Sequence, residues 1–414
     1  MRTSTPACDR PVMASTHGIT IRSSTRDDWP AVVNLLETSF GQRYDPAELD
    51  IIPDIFTPDR ALLAMDGDRI VGHAVDRRMT VTVPGEGTVL ASGISAVSVA
   101  PTHRRRGILR ALYTEQHART EAEGLPLTMF TASEGTIYGR FGYGTAIERD
   151  FISIDRHRVQ FRPTTLDPGG VEIAPVDEAT QARIRDVYDR WRRLVPGAQE
   201  RPDPAWRLCF ADPPRYRGGA STLYALLHPD GYVLYRREWG EKESVATVWE
   251  FRAVTAEAHA ALWRVLLGLD LVDRVVCDLA DNDPLPYLLT DPRLVQVTGR
   301  RDHLWVRIMD VPAALTARTY RCDLDVIVAV HDPFRDAGGT FALRVRDGIA
   351  ECEPTTRSAD LELGTAELSS LYLGGHRARV LAAANRIQVK DPAHLRAVDE
   401  AFATDRDPEL GWFF

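Results

Sequence analysis

Val97-Ser98-Val99-Ala100-Pro101-Thr102-His103-Arg104-Arg105-Arg106-Gly107-Ile108-Leu109-Arg110-Ala111 is the stretch on which the fold turns. A β-branched strand breaks at Ala100-Pro101, turns through three arginines and a glycine, and opens directly into a helix. Backbone N–H groups and the positive end of the helix dipole then converge on one spot. Such a turn suits a pyrophosphate, because Gly107 lets the main chain approach an anion and the arginines add charge-assisted hydrogen bonds. Ile108, Leu109, Leu112, Tyr113 and Gln116 recur at helical spacing, and Gly124 stands where a C-terminal cap belongs. A solvated basic turn between an ordinary strand and helix is the competing reading.

These residues resemble the acetyl-CoA signature of the GNAT N-acetyltransferases, an apolar strand followed by Arg/Gln-x-x-Gly-x-Gly/Ala. Here the pattern is Arg104-x-x-Gly107-x-Leu109, with the last small residue replaced. At 414 residues the chain exceeds a single core and implies about two to four domains. A net charge of −9 argues against a general nucleic-acid binder and suits a cationic small molecule. Cys8, Cys209, Cys277, Cys322 and Cys352 are scattered and form no C-x-x-C pair. They read as reduced thiols of a cytoplasmic protein, with no zinc site and no disulfide framework. No apolar run approaches a membrane span or a signal-peptide core. Residues 1–17, polar and interrupted by Pro6 and Pro11, read as a disordered extension.

In chain order, Ile19-Thr20-Ile21-Arg22 alternates as a strand, and Thr25-Arg26-Asp27-Asp28 caps a helix through Val33, Leu36 and Phe40. Residues 41–58 read as an acidic loop, carrying Asp45, Glu48, Asp50 and Asp54. That loop serves either to recognise amines or as plain solvated surface. Residues 61–65 and 69–83 read as antiparallel strands joined by Asp66-Gly67-Asp68, and 127–131 as a strand after the signature helix. Ile137-Tyr138-Gly139-Arg140-Phe141-Gly142-Tyr143-Gly144 then alternates glycines with aromatics, which fits an active-site wall or a turn packed on aromatic rings.

Residues 160–170 lose periodicity and read as a linker, after which the pattern begins again. Strand 171–173, a helix through Ile184, Val187, Tyr188 and Trp191, strands 223–227, 232–236 and 248–254, and a helix over 256–267 repeat the earlier order. At the corresponding turn this copy has Ala253-Val254-Thr255-Ala256-Glu257, with neither glycine nor arginine, so it is expected not to bind CoA. The last portion opens around Leu304-Trp305-Val306-Arg307-Ile308. Its strands at 324–330 and 340–345 and its helices at 369–372 and 378–385 suggest an α+β domain. The aromatic end Trp412-Phe413-Phe414 is expected to be docked.

Several blocks together resemble the enhanced intracellular survival (Eis) family of aminoglycoside N-acetyltransferases. They are Pro101 to Gly107, Ser133-Glu134-Gly135 with Ile137 to Gly144, His228-Pro229-Asp230-Gly231-Tyr232, Asp283-Pro284-Leu285-Pro286 with Leu288-Leu289-Thr290-Asp291, and Ser370-Leu371-Tyr372-Leu373-Gly374. The resemblance implies an α/β (α+β) chain with two tandem GNAT-like domains, each a mixed sheet flanked by helices, and a sterol-carrier-protein-like domain. The boundaries fall at 18–162, 163–303 and 304–414. It also implies a homo-hexamer and acetylation of several amines on one substrate, with acetyl-CoA as co-substrate. By the family's pattern Val97, Ser98 and Val99 would hold pantetheine. Arg104, Arg105, Arg106, Gly107, Ile108, Leu109 and Arg110 would surround the pyrophosphate, with Ser133 and Glu134 also at the cofactor. Tyr138 would be the general acid and the Phe414 carboxylate the general base, with no metal and no acyl-enzyme. Where aminoglycoside-acetylating relatives carry acids, this chain has Gln42 and Phe413, so Asp45, Glu48 or Asp50 would have to substitute. Lysine side chains and other small amines remain alternative substrates. A rival of another class is a non-catalytic lipid-binding or scaffold protein built around the last domain.

Overall fold

The computed structural model describes residues 13–16, 18–241 and 243–414. It divides into two compact units, residues 1–77 with 93–124, and residues 78–92 with 125–414.

In the first unit, β1 (Met13–Thr16) pairs antiparallel with β2 (Ile19–Ser23), so part of the expected disordered extension is a strand. The rest of that extension lies outside the described residues. α1 (Trp29–Phe40) buries Val32, Leu35 and Leu36, while Phe40, expected on the inner stripe, is exposed. Residues expected to form an acidic loop contain a helix instead, α2 (Pro46–Ile55). Its cause is a capping box: the Asp45 side chain accepts from the Ala47 N–H at 3.0 Å, and Glu48 accepts from the Asp45 N–H at 2.8 Å. β3 (Leu62–Asp66) follows, and β4 (Arg69–Thr82) belongs to this unit as far as Arg77. β5 (Thr88–Val99) re-enters it at Gly93, and α3 (Ile108–Ala122) closes the unit. Ile108 and Leu112 of α3 pack with Ile19, Ile21, Leu35, Leu62 and Val71 in one core. On β4, Gly72 makes that approach possible, since a Cβ there would stand 2.9 Å from Ile108 Cγ2.

The second unit begins, after the β4–β5 turn, with β6 (Leu127–Phe130), β7 (Gly144–Asp155) and β8 (Glu172–Pro175). α4 (Glu178–Leu194), α5 (Asp203–Ala211), β9 (Tyr224–His228), β10 (Gly231–Trp239), β11 (Ser244–Ala253), α6 (Ala256–Leu267) and β12 (Arg274–Leu279) follow. Then come α7 (Leu285–Leu288) and β13 (Gln296–Ile308). These strands line up as β6-β13-β7-β12-β11-β10-β9-β8, with β11 and β12 parallel. Leu304 to Ile308, expected to open the last domain, end β13 and pair with β6 and β7. Their buried apolar run completes the large sheet because both of its long edges find a partner there.

The remainder comprises α8 (Val311–Thr316), β14 (Leu324–His331), β15 (Gly339–Arg346), β16 (Ile349–Pro354), β17 (Leu361–Gly364), α9 (Thr365–Leu371), α10 (Ala378–Ala383), β18 (Ile387–Val389) and α11 (Pro392–Phe402). It forms a separate five-stranded sheet in the order β16-β15-β14-β17-β18. No described helix is long and apolar enough to cross a membrane.

Candidate active site

Residues Val97, Ser98 and Val99 end β5, and Ala100 closes the strand by donating to the Val71 carbonyl at 2.8 Å. Pro101 to His103 make one 3-10 turn, and the chain then needs two left-handed residues, Arg105 at φ 64° and Gly107 at φ 78°. Gly107 is the N-cap of α3, and no side chain caps that helix. A helix start without a side-chain cap is what an anion site requires of the residues that open it, here Ile108, Leu109 and Arg110. Arg104 and Arg105 are exposed. Arg106 leans back to Asp66 at 3.6 Å, beside the His103 Nε2 contact to the same carboxylate at 3.1 Å. His73 on β4 meets the Ala96 carbonyl at 2.8 Å and pins the left-handed residue that precedes Val97.

The second copy differs in two respects. Thr255 caps α6 with its own hydroxyl, which accepts from the Ala258 N–H at 3.2 Å. A helix end already satisfied by a side chain has less to offer an anion. Thr255, Ala256 and Glu257 supply neither the glycine nor the arginines of the first turn.

In the second unit, Tyr138 is 6% exposed, its ring centroid 4.3 Å from Phe130 and 6.3 Å from Trp305. Burial lifts its phenol above the ordinary value of 10; hydrogen bonding to Ser133 opposes the rise and the nearby Glu134 charge adds to it. Ser133 and Glu134 are themselves exposed. One residue past Phe130, the Thr131 hydroxyl donates to a terminal oxygen of Phe414 at 3.3 Å. The end of β6 thus carries both the phenol's ring partner and the carboxylate's hydrogen-bond donor.

The terminus is docked as expected, although Phe413 takes no part in burying it. Phe413 is 63% exposed, touching His303 with ring centroids 5.3 Å apart, whereas Leu410 and Trp412 are buried. Phe414 rests edge-on against Trp412 at 5.6 Å. Two of the glycines after Tyr138 serve packing, while a Cβ at Gly139 would meet nothing within 4 Å. A Cβ at Gly142 would stand 1.7 Å from Arg307 Nη1, and one at Gly144 would stand 1.9 Å from the Ala366 carbonyl. Of the three acids considered as substitutes for Gln42 and Phe413, Asp45 and Glu48 are engaged in capping α2, and Glu48 is fully buried. Asp50 alone is exposed. Sequence reasoning missed Thr131, Trp305 and Trp412, none of which carries a local motif.

Residues 20–146 match a family of acetyltransferase (GNAT) domains, residues 197–308 a second such family, and residues 311–411 a sterol carrier protein domain. The chain is 43% identical over 397 residues to the N-acetyltransferase Eis of Mycobacterium tuberculosis, spanning 94% of this chain and 97% of that one. It is 36% identical to an uncharacterised N-acetyltransferase of Streptomyces avermitilis, over 94% and 98% of the two chains. Eis1 from Mycobacterium abscessus superposes with a TM-score of 0.83 at 32% identity, over 96% of this chain and 100% of that one. The architecture is thus two GNAT domains followed by a sterol-carrier-protein-like domain, as the resemblance implied.

Proposed function

This chain belongs to the Eis family of GNAT N-acetyltransferases, and we propose that it acetylates primary amines, those of aminoglycosides included, with Tyr138 as acid and the Phe414 carboxylate as base. The observation that carries these roles is the meeting at the end of β6, where Phe130 packs on Tyr138 and Thr131 holds the chain terminus. Acetyl-CoA, the co-substrate of GNAT enzymes, supplies the acyl group as a thioester. The cradle proposed for its pyrophosphate is the uncapped start of α3 with Gly107, Arg104 and Arg105, and Val97 to Val99 are proposed for pantetheine.

Transfer requires a free amine, because an ammonium has no lone pair with which to attack. The Phe414 carboxylate takes the proton shed by the amine nitrogen as the N–C bond forms. Tyr138 gives its phenolic proton to the sulfur as the C–S bond breaks. A phenol raised above 10 by burial is protonated throughout the physiological range, as an acid must be. No group on the protein needs to carry the acetyl.

Aminoglycosides are proposed on the family resemblance and the acidic charge of −9. A second reading, lysine side chains or other amines of lower charge, is favoured by Gln42 and Phe413 and by the use of Asp45 and Glu48 in a helix cap. Assembly into a homo-hexamer is proposed on the same resemblance, and a cytoplasmic location on the scattered cysteines. Thiol release from acetyl-CoA, measured over aminoglycosides, polyamines and lysine peptides, tests the reading. Turnover of at least one aminoglycoside is expected, activity confined to peptides would establish the second reading, and no turnover of any amine would overturn both.

A further inference from the structure

The last residues of the chain are gripped by the backbone. Gln199 Oε1 accepts from the Gly411 N–H at 3.0 Å and the Trp412 N–H at 3.3 Å, and Trp412 Nε1 donates to the Glu200 carbonyl at 3.2 Å. From the other side Arg252, at the end of β11, donates through Nη2 to the carbonyls of Leu410 at 3.0 Å and Gly411 at 2.9 Å. Its Nη1 lies 3.4 Å from Glu409, and its guanidinium stacks 4.2 Å over the Trp191 ring. Gln199 is fully buried and is itself steered by donation from Nε2 to the Gly197 carbonyl at 2.7 Å. At position 411 a Cβ would stand 2.4 Å from Tyr188 Oη and 2.8 Å from Gln199 Oε1, so a side chain there would push the tail out of the grip.

A buried guanidinium and a buried amide are costly ways to fill a core. Here both direct hydrogen bonds to main-chain groups within four residues of the terminus, fixing where the chain ends irrespective of its side chains. The site of the grip is telling. Among the described residues β11 and β12 pair at Val245 to Thr247 and Arg274 to Val276. Beyond that point the tail is held from two sides, by Asn282, three residues past the end of β12, whose backbone N–H and Nδ2 both donate to Asp407, and by Arg252 at the end of β11. By order in the repeat, β11 is the counterpart of β5, the strand proposed to meet pantetheine.

We infer that the second GNAT copy, which lacks the anion turn, is a clamp for the catalytic terminus. The chain's own tail takes there the place that the co-substrate takes in the first copy, and Arg252 and Gln199 are positioning residues for the Phe414 carboxylate. This rests on the assignment of that carboxylate as the base.

The test is a double-variant cycle between Gln199→Met and a semisynthetic chain ending in a carboxamide. Gln199→Met is expected to lower kcat for amine acetylation tenfold or more, to leave the KM for acetyl-CoA within twofold, and to regain part of its rate with added formate. In the carboxamide background Gln199→Met should cost nothing further, because the base it positions is already gone. Gly411→Ala, which perturbs the same grip from the tail side, should behave alike and serves if Gln199→Met does not fold. Losses that multiply would make Gln199 merely structural and overturn the clamp. A slow carboxamide enzyme with full activity in both grip variants would overturn the clamp alone, whereas full activity in the carboxamide enzyme would overturn the base assignment and the clamp with it.

Discussion

Replacing Gly107 by valine probes the anion cradle where it is most sensitive. Gly107 sits at φ 78°, a left-handed conformation that costs an L-residue about 1–2 kcal/mol, and a β-branched one more. Arg105 already bears such strain at φ 64°, so the turn has little slack to share it. Two responses are open to the variant. If the turn keeps its shape, the strain lowers stability by about 1–2 kcal/mol and two methyl groups stand where the main chain should meet the phosphates. If φ turns negative, the first N–H groups of α3 swing away, losing charge-assisted bonds that contribute about 1.5–3 kcal/mol each. In the first case the methyl groups exclude the phosphates, and in the second the loss of one such bond, about 1.5 kcal/mol, already exceeds the roughly 1.4 kcal/mol of a tenfold change, so a tenfold or greater rise in Kd for acetyl-CoA is expected by calorimetric titration. The control is Thr255→Val at the start of α6, which removes the hydroxyl cap and should cost about 1 kcal/mol of stability without changing that Kd. An unchanged Kd in Gly107→Val, or equal weakening in both variants, would refute the assignment of the cradle to the first copy.

Further outcomes are expected. Tyr138→Phe should lower kcat by a hundredfold or more and leave the Kd for acetyl-CoA unchanged, read by stopped-flow thiol release and titration; an unchanged kcat would make Tyr138 a packing residue. His73, fully buried, has its imidazole pushed down to about 4 by burial, so the unfolded chain takes up a proton near 6.5 that the folded chain refuses until about 4. Its contribution is intact above pH 6.5 and falls as the pH drops through that window, by up to about 3 kcal/mol, and His73→Gln should flatten that part of the acid limb in urea titrations. Asp45→Ala should cost about 1 kcal/mol in the same assay by removing the cap of α2.

How much the sequence disclosed depended on how local the cause was. The strand, turn and helix around Gly107 were legible because strand periodicity, a left-handed glycine and a helical stripe all lie within about one βα unit of chain. The second copy was legible for the same reason, and the hydroxyl cap of Thr255 at the start of its helix adds what its sequence had not disclosed. α2 was hidden because four acids suggested a loop, while the signal that mattered was Asp45 three residues before Glu48. Leu304 to Ile308 were misassigned because a strand's partners, here β6 and β7, are distant in sequence. The tail shows the limit most clearly. That it would dock followed from its apolarity, but that Trp412 and the main chain hold it while Phe413 faces solvent depends on Gln199 and Arg252, more than 150 residues away.

The most direct test of the proposed chemistry is the pH dependence of amine acetylation by a full-length chain whose Phe414 ends in a carboxamide, which removes one negative charge and adds almost no bulk. The base assignment predicts a kcat lowered by about a hundredfold or more at neutral pH, partial recovery as the pH approaches the pKa of the substrate amine, and unaltered affinity for acetyl-CoA. Full turnover by the carboxamide enzyme across the pH range would contradict it.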